Sequence, residues 1–146
     1  MNNNLNFDSG LVSFEVNGGN DAVRFNPTDA EFFGRLVDTV TALQTRMDRY
    51  AEDVKKEGDV VNRFELLKAL DNDVEISIDE LFRTPGMCRK IFADGDTHIS
   101  PTALAGGFPI WLNFLLAVAD KADESVKIQE KLSKTRVEKY TSKYHK

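Results

Sequence analysis

Apolar positions between Pro27 and Gly58 predict one long helix. The segment Asn26-Pro27-Thr28-Asp29-Ala30-Glu31 precedes them and supplies either an Asn26 cap with Pro27 at the first helical position or a Thr28/Glu31 capping box. The apolar side chains then recur at alternating steps of three and four, a heptad seam: Phe33, Leu36, Val40, Leu43, Met47, Tyr50 and Val54. We expect the helix to end near Glu57 and to pack lengthwise. An antiparallel helix of the same chain is the favoured partner over a second chain.

A second helix is predicted over residues 60–82, where the apolar residues again follow mostly helical spacing: Val60, Phe64, Leu67, Leu70, Val74, Ile78 and Leu81. The stretch from Val74 to Ile78 also alternates as a strand does, but the longer pattern favours the helix. Residues 71–75 then form part of its polar face.

Two short β-prone segments, residues 11–16 and 22–25, precede the first helix. The cluster Asn17-Gly18-Gly19-Asn20-Asp21 separates them and contains residues that tolerate positive φ, which predicts a β-hairpin. Because an isolated hairpin is only marginally stable, it must pack on the helices or pair with a strand of another subunit.

Turn residues divide the chain between 84 and 109. Thr84-Pro85-Gly86 ends the second helix, a short helix is predicted over residues 87–92, and residues 93–96 form a turn. A further short helical segment is expected to begin at Ser100-Pro101 and to end at Gly106-Gly107. Pro109 suits the first turn of the long helix that follows.

The richest apolar run is IWLNFLLAVA, residues 110–119, in which nine of the ten residues are apolar. It is too short to cross a bilayer, so we expect it to be buried in protein, within its own fold or against another chain. The helix is predicted to continue amphipathically past Asp120 through Val126 toward Leu132.

These elements predict a mainly α fold: a helical bundle with long helices and a small N-terminal β-hairpin. Residues 1–135 form a single helical domain that includes the hairpin at 11–25, and residues 136–146 form a basic tail. A chain of 146 residues, 41% apolar, can bury about 65–70% of its unfolded surface without staples. The single cysteine excludes an internal disulfide, and the lack of a secretory signal or long apolar span predicts a soluble, intracellular protein.

Charge is distributed unevenly along the chain. Residues 1–120 carry 11 basic and 20 acidic side chains, net −9, whereas residues 121–146 carry 8 and 4, net +4. A net-acidic body repels nucleic acid, and glutamates interrupt the basic tail, so we do not expect nucleic acid as a partner. No apolar run is long enough to span a bilayer, so we do not expect a membrane partner either.

The candidate reactive groups do not form a convincing site. Asp94, Asp96 and His98 resemble a cation loop, but a calcium loop requires glycine where Ile99 stands and glutamate where Ala105 stands. Residues 71–75 do not match a calcium loop either, because Ile76 stands in its glycine position. Cys88 has only His98 and His145 as possible bases, and a buried thiol is the favoured interpretation. We therefore predict no enzyme, no catalytic residue, no metal and no cofactor.

Four stretches together carry a family resemblance: FNPTD, IDELFRTPGMCRKIFADG, ALAGGFPIWLNFLLAVADKAD and KTRVEKYTSKYHK. They resemble the tail-assembly chaperones, small proteins from siphophages of Gram-positive and gut bacteria. In many members both Phe-containing motifs read Phe-Gly, whereas Arg83 and Ala93 occupy the glycine positions of this chain. No chemistry is attached to those glycines.

The resemblance implies a chaperone that binds the tape-measure protein in the cytoplasm of the infected host and helps the tail-tube protein polymerise around it. Such a protein is not expected in the mature virion. The alternatives are a phage structural or connector subunit and a small regulatory protein that modulates a host partner. From the residues themselves we expect a homo-oligomer and a partner-binding surface that combines the apolar run with the basic tail: Trp111, Phe114, Leu115, Val118, Arg136, Lys139, Tyr140 and Lys143.

Overall fold

The computed structural model describes residues 3–125, which form four helices and three two-stranded antiparallel hairpins. The protein is mainly helical with a small N-terminal hairpin, so the predicted fold class is confirmed. Two predictions lie outside the described residues: the domain boundary at 135 and the tail part of the partner surface, which consists of Arg136, Lys139, Tyr140 and Lys143.

The N-terminal hairpin consists of β1 (Val12–Glu15) and β2 (Ala22–Phe25), as the sequence predicts. Asn17 and Gly18 occupy its turn with φ of 51° and 69°, the left-handed region that asparagine and glycine tolerate best. Val23 and Phe25 alternate with exposed residues of β2 and are buried. One face of the hairpin therefore belongs to the core.

Helix α1 (Ala30–Lys56) begins one residue after Asp29, whose side chain accepts a hydrogen bond from the Glu31 backbone N–H at 3.0 Å. Asp29 is thus the N-cap, and the predicted caps at Asn26 and Thr28 are wrong. Asn26 instead closes the preceding turn, because its Oδ1 accepts from the Thr28 N–H at 2.9 Å. The helix ends at the predicted position.

Helix α2 (Val60–Leu81) follows a three-residue connection and packs against α1, so the two form an antiparallel helical hairpin. Arg46 Nε of α1 donates to Asp73 Oδ2 of α2 at 2.8 Å. The seam of α1 thus has a partner within the same chain. The first buried residue of α1 is Phe32, whereas Phe33, the first residue of the predicted heptad seam, is only partly buried.

The end of α2 and the short helix α3 (Met87–Ile91) are joined by hydrogen bonds. The backbone N–H groups of Arg83 and Thr84 donate to the carbonyls of Glu80 and Asp79 at 3.1 and 3.0 Å, and Arg83 has φ 55°. This is a Schellman ending with a left-handed residue after the cap. The Asp79 carboxylate also accepts from the Cys88 N–H at 2.7 Å and thereby holds α3 against α2.

Two small hairpins connect α3 to the last helix: β3 (Ala93–Asp94) with β4 (Thr97–His98), and β5 (Leu104–Ala105) with β6 (Phe108–Pro109). The β5–β6 hairpin lies where the sequence predicted a short helical segment ending at Gly106-Gly107, so that prediction is wrong. Gly106 and Gly107 lie at its turn with φ of 64° and 84°, the pair of positive values that a type I′ hairpin turn requires. The two glycines therefore turn a hairpin rather than end a helix.

Helix α4 covers residues 110–125 of the described chain, so Pro109 lies in β6 and not in the helix. The N–H groups of Ile110 and Trp111 donate to the carbonyls of Ala103 and Pro101 at 2.8 and 3.0 Å. Trp111, Leu115 and Val118 belong to the same hydrophobic core as the buried residues of α1 and α2. Much of the apolar run is therefore buried within its own chain.

Candidate partner-binding groove

An open cavity of about 430 Å³ lies between the N-terminal hairpin, the segment from Ile91 to Ile99 and α4. We call it the hairpin groove. Most of its lining is apolar and comes from segments far apart in sequence: Phe14, Val16, Val23, Phe25, Ile91, Phe92, Ala93, Ile99, Ala105, Ile110, Phe114, Ala117 and Val118. Its volume falls in the range of about 300–1,000 Å³ typical of binding pockets.

Contacts between phenylalanine rings hold the walls of the groove together. Phe14 contacts Phe25 with ring centroids 4.6 Å apart, and Phe25 contacts Phe32 of α1 at 5.0 Å. Phe114 of α4 contacts Phe82 at 5.7 Å and Phe92 at 5.5 Å. Phe25 also contacts Phe82 at 6.2 Å, so Phe82 joins the hairpin to α4. Each such pair contributes about 0.5–1.5 kcal/mol beyond the area it buries.

Polar residues complete the lining: Glu15, Asn17, Asn113 and Lys121. The Lys121 Nζ lies 5.9 Å from the centroid of the Phe14 ring, a cation–π arrangement across the groove. The same atom is 3.3 Å from Glu124 Oε2. Since 44% of the Lys121 side chain is exposed, its charge remains accessible to a partner.

The structure separates the four predicted α4 residues into two pairs. Phe114, half-buried, and Val118 line the groove. Trp111 and Leu115 are each only 1% exposed, and the Trp111 Nε1–H donates to Met47 Sδ of α1 at 3.3 Å. They are core residues, which corrects their assignment to the partner surface. Arg136, Lys139, Tyr140 and Lys143 lie outside the described residues.

The hairpin wall of the groove was missed by the sequence analysis, which placed the surface on α4 alone. The alternation of Phe14 with Val16 and of Val23 with Phe25 is the signal that could have found it. One strand face with two large apolar residues on each strand needs a partner, and Phe25 finds it in Phe32 and Phe33 of α1 and in Phe82.

Cys88 is fully buried at the start of α3. Burial raises the pKa of its thiol far above the ordinary value, and the carboxylates of Asp79, Glu75 and Asp71 act in the same direction, while Arg89 opposes them. The thiol therefore stays protonated at neutral pH and is a packing residue in this conformation. His98, its predicted possible base, is exposed on β4.

Asp94, Asp96 and His98 are exposed on the β3–β4 hairpin, and residues 71–75 lie on α2. Within residues 3–125, no group of three or more His, Cys, Asp or Glu side chains is arranged to hold a metal ion. In the same part of the chain, no helix is both long and apolar enough for a membrane span. Comparison of the chain with protein-family models, curated proteins and solved structures gives no match.

Proposed function

We propose that this protein is a non-enzymatic tail-assembly chaperone of a siphophage, which binds the tape-measure protein, keeps it soluble and promotes tail-tube assembly. The observation that carries the proposal is the hairpin groove: an open, mostly apolar cavity with an accessible lysine beside it. The resemblance of the four sequence stretches to this family supplies the identity of the client.

The groove suits an amphipathic helix better than a small polar substrate. A docked helix inserts apolar side chains at steps of three and four residues and keeps its polar face in water. Phe14 and Phe114, both half-buried, offer aromatic surface on opposite walls. Aromatic side chains of this kind commonly supply much of the affinity of an interface.

The backbone at Arg83 also supports the family resemblance. This position corresponds to a glycine in many tail-assembly chaperones, and its φ of 55° lies in the region that favours glycine. Ala93 occupies the second glycine position and opens β3, where an ordinary side chain fits. The sequence departs from the family pattern at Arg83 while the backbone keeps the conformation that glycine would provide.

The basic tail is proposed to contact the client through its charge. Residues 121–146 carry a net charge of +4 beside a body of −9. In this proposal the net positive charge of this segment attracts acidic stretches of the client and raises the association rate, whereas the apolar groove supplies affinity. Arg136, Lys139, Tyr140 and Lys143 are the tail residues proposed for this contact.

A second candidate function is a structural or connector subunit that stays in the virion. The observation that favours it is the exposure of two large apolar residues, Leu5 and Phe7, ahead of the hairpin. Such a segment suits exchange between neighbouring subunits. Mass spectrometry of purified particles separates the two candidates, because the chaperone is expected to be absent from them and confined to the cytoplasm of the infected host.

Co-expression with the tape-measure protein tests the chaperone proposal. Ala117 is exposed and lines the groove, whereas its neighbour Leu116 is exposed and does not. We expect Ala117→Asp to abolish retention of the client, because a carboxylate would be buried against its apolar side chains. Leu116→Asp, the matched control, should retain it.

Equal retention by both folded variants would place the client elsewhere. If the wild type retains no tail protein at all, the chaperone function is wrong. Deletion of residues 136–146 adds a second measurement: association should become slower and less dependent on salt, since the steering charge is removed.

A further inference from the structure

We propose that the hairpin groove, when no client fills it, receives the N-terminal arm of a second copy of this chain. The arm is defined as residues 3–9, and its apolar side chains are Leu5 and Phe7. The proposal rests on the same groove as the proposed function but not on the identity of the client.

The arm has the alternating apolar pattern of a strand. Leu5 and Phe7 are two residues apart, so an extended backbone places both on one face. They are 91% and 85% exposed, the highest values among the large apolar residues of the described chain. Exposed apolar surface of this kind favours burial against another surface.

The base of the arm is held in a fixed position on the hairpin. Asn26 Nδ2 donates to the Ser9 carbonyl at 3.0 Å, and the Gly10 N–H donates to Asp8 Oδ1 at 2.9 Å. Gly10 has φ 71°, and a Cβ there would lie 2.5 Å from Asn26 Nδ2. The arm therefore joins the hairpin at a position whose positive φ and close Asn26 amide favour glycine.

The arm does not fill the groove of its own chain. It leaves β1 beside Val12, whose strand partner Phe25 lines the groove, yet neither Leu5 nor Phe7 is among the lining residues. Both side chains stay in solvent within their own chain. A second copy offers the same groove to this arm.

The groove offers three features that match the arm. Its walls are apolar, and the two-stranded sheet beside it leaves one edge of each strand unpaired, which can accept an added strand. The arm carries one charged residue, Asp8, and Lys121, which is partly exposed and paired with Glu124, lines the groove. Glu15 also lines the groove, so we expect Asp8 to lie beside Lys121 and away from Glu15.

Two variants with complementary defects test the exchange. Leu5→Ser combined with Phe7→Ser removes the apolar side chains of the arm, and Ala117→Trp fills the groove from an exposed position. Leu116→Trp puts the same side chain on the same helix outside the groove and is the matched control. Circular dichroism confirms that each variant is folded before sedimentation velocity measures association.

We expect the wild type and the control to form dimers at micromolar concentration, and each defective variant to dissociate about tenfold more readily or worse. An equimolar mixture of the two defective variants should recover a dimer, because one supplies an intact arm and the other an intact groove. A mixture that stays monomeric, or a wild type that never associates, overturns the proposal.

The same variants keep this proposal apart from the chaperone function. The arm variant should stay monomeric and still retain the tape-measure protein, since its groove is intact. If the wild type is a monomer that retains the client, the arm exchange fails and the chaperone function stands. If complementation restores the dimer but no tail protein is ever retained, the chaperone function fails and the exchange stands.

Discussion

The two ends of the α1–α2 helical hairpin differ in what covers them. At one end, Phe32 and Leu36 of α1 and Ile78 of α2 are buried beneath the N-terminal hairpin, α3 and α4. At the other end, which we call the tip, residues 50–66 contain no buried residue. Val60, Val61 and Phe64 of the tip are 62%, 66% and 66% exposed.

This difference shows what a heptad seam specifies and what it leaves open. The seam runs through both ends of α1, and its residues from Phe33 to Tyr50 are buried or packed against the core, so the pattern identifies the side that faces a neighbour. Complete burial, however, occurs only where a third layer is present, and α4 and the β-hairpin supply it at one end. Apolar spacing alone does not tell where that layer stops.

The largest expected contrast comes from truncating apolar side chains at the two ends. Leu43→Ala and Leu115→Ala should each lower the free energy of unfolding by about 2–5 kcal/mol, because both side chains are fully buried. Phe64→Ala in the tip should change it by less than about 0.5 kcal/mol, since its side chain is already in solvent. Chemical denaturation of the three variants provides the measurement.

Similar losses at both ends would show that the tip is covered in solution. A second chain on the tip is the simplest source of such a cover, and repeating the Phe64→Ala measurement at lower protein concentration would reveal it. Losses under about 1 kcal/mol for both Leu43→Ala and Leu115→Ala would contradict the core itself.

An intermediate effect is expected from pH at the covered end. The folded-state pKa of Cys88 lies above its unfolded value, so its contribution to stability is complete below the unfolded pKa and is lost as the pH rises above it. Between about pH 8 and pH 10 the free energy of unfolding should fall by about 1–2 kcal/mol from this thiol.

Cys88→Ala is the control for that measurement, because every other titrating group is the same in the two proteins. The difference in slope between the two pH profiles isolates the thiol. Parallel profiles would mean that water reaches Cys88 in the folded protein, contrary to its complete burial.

The smallest expected effect is a gain in stability at the end of α2. Arg83→Gly should raise the free energy of unfolding by about 0.5–1 kcal/mol, since the strain of a left-handed arginine exceeds the entropy that glycine adds to the unfolded chain. Thermal melts of both proteins measure the gain. Gly58→Ala, in the connection between α1 and α2, is a comparison at a glycine without positive φ. A loss of stability in Arg83→Gly would indicate that the Arg83 side chain makes contacts that outweigh the strain.

Local patterns predicted α1, α2, α3 and the N-terminal hairpin, because helix periodicity, strand alternation and turn residues act within a few positions. They failed at Gly106-Gly107, where the same pair can end a helix or turn a hairpin. The pairing of Leu104 with Pro109 decides between them, and a dipeptide does not contain that information.

Of the walls of the groove, only the α4 wall could be predicted from local sequence patterns. Phe114 and Val118, which line the groove, belong to a conspicuous apolar run, whereas Phe14 lies one hundred residues earlier on a strand. Contact between such distant segments depends on how the layers stack, which periodicity does not encode. Trp111 and Leu115 were misplaced because periodicity does not tell which side of α4 faces the core.

The contact between Trp111 and Met47 makes intrinsic tryptophan fluorescence a probe of the packing of α4 on α1. Trp111 is the only tryptophan, and its indole is enclosed where α4 meets α1. Its emission should therefore be blue-shifted in the native protein and move to longer wavelength when those helices separate. Separation of α4 from α1 can thus be followed in unlabelled protein, while events confined to the tip leave the signal unchanged.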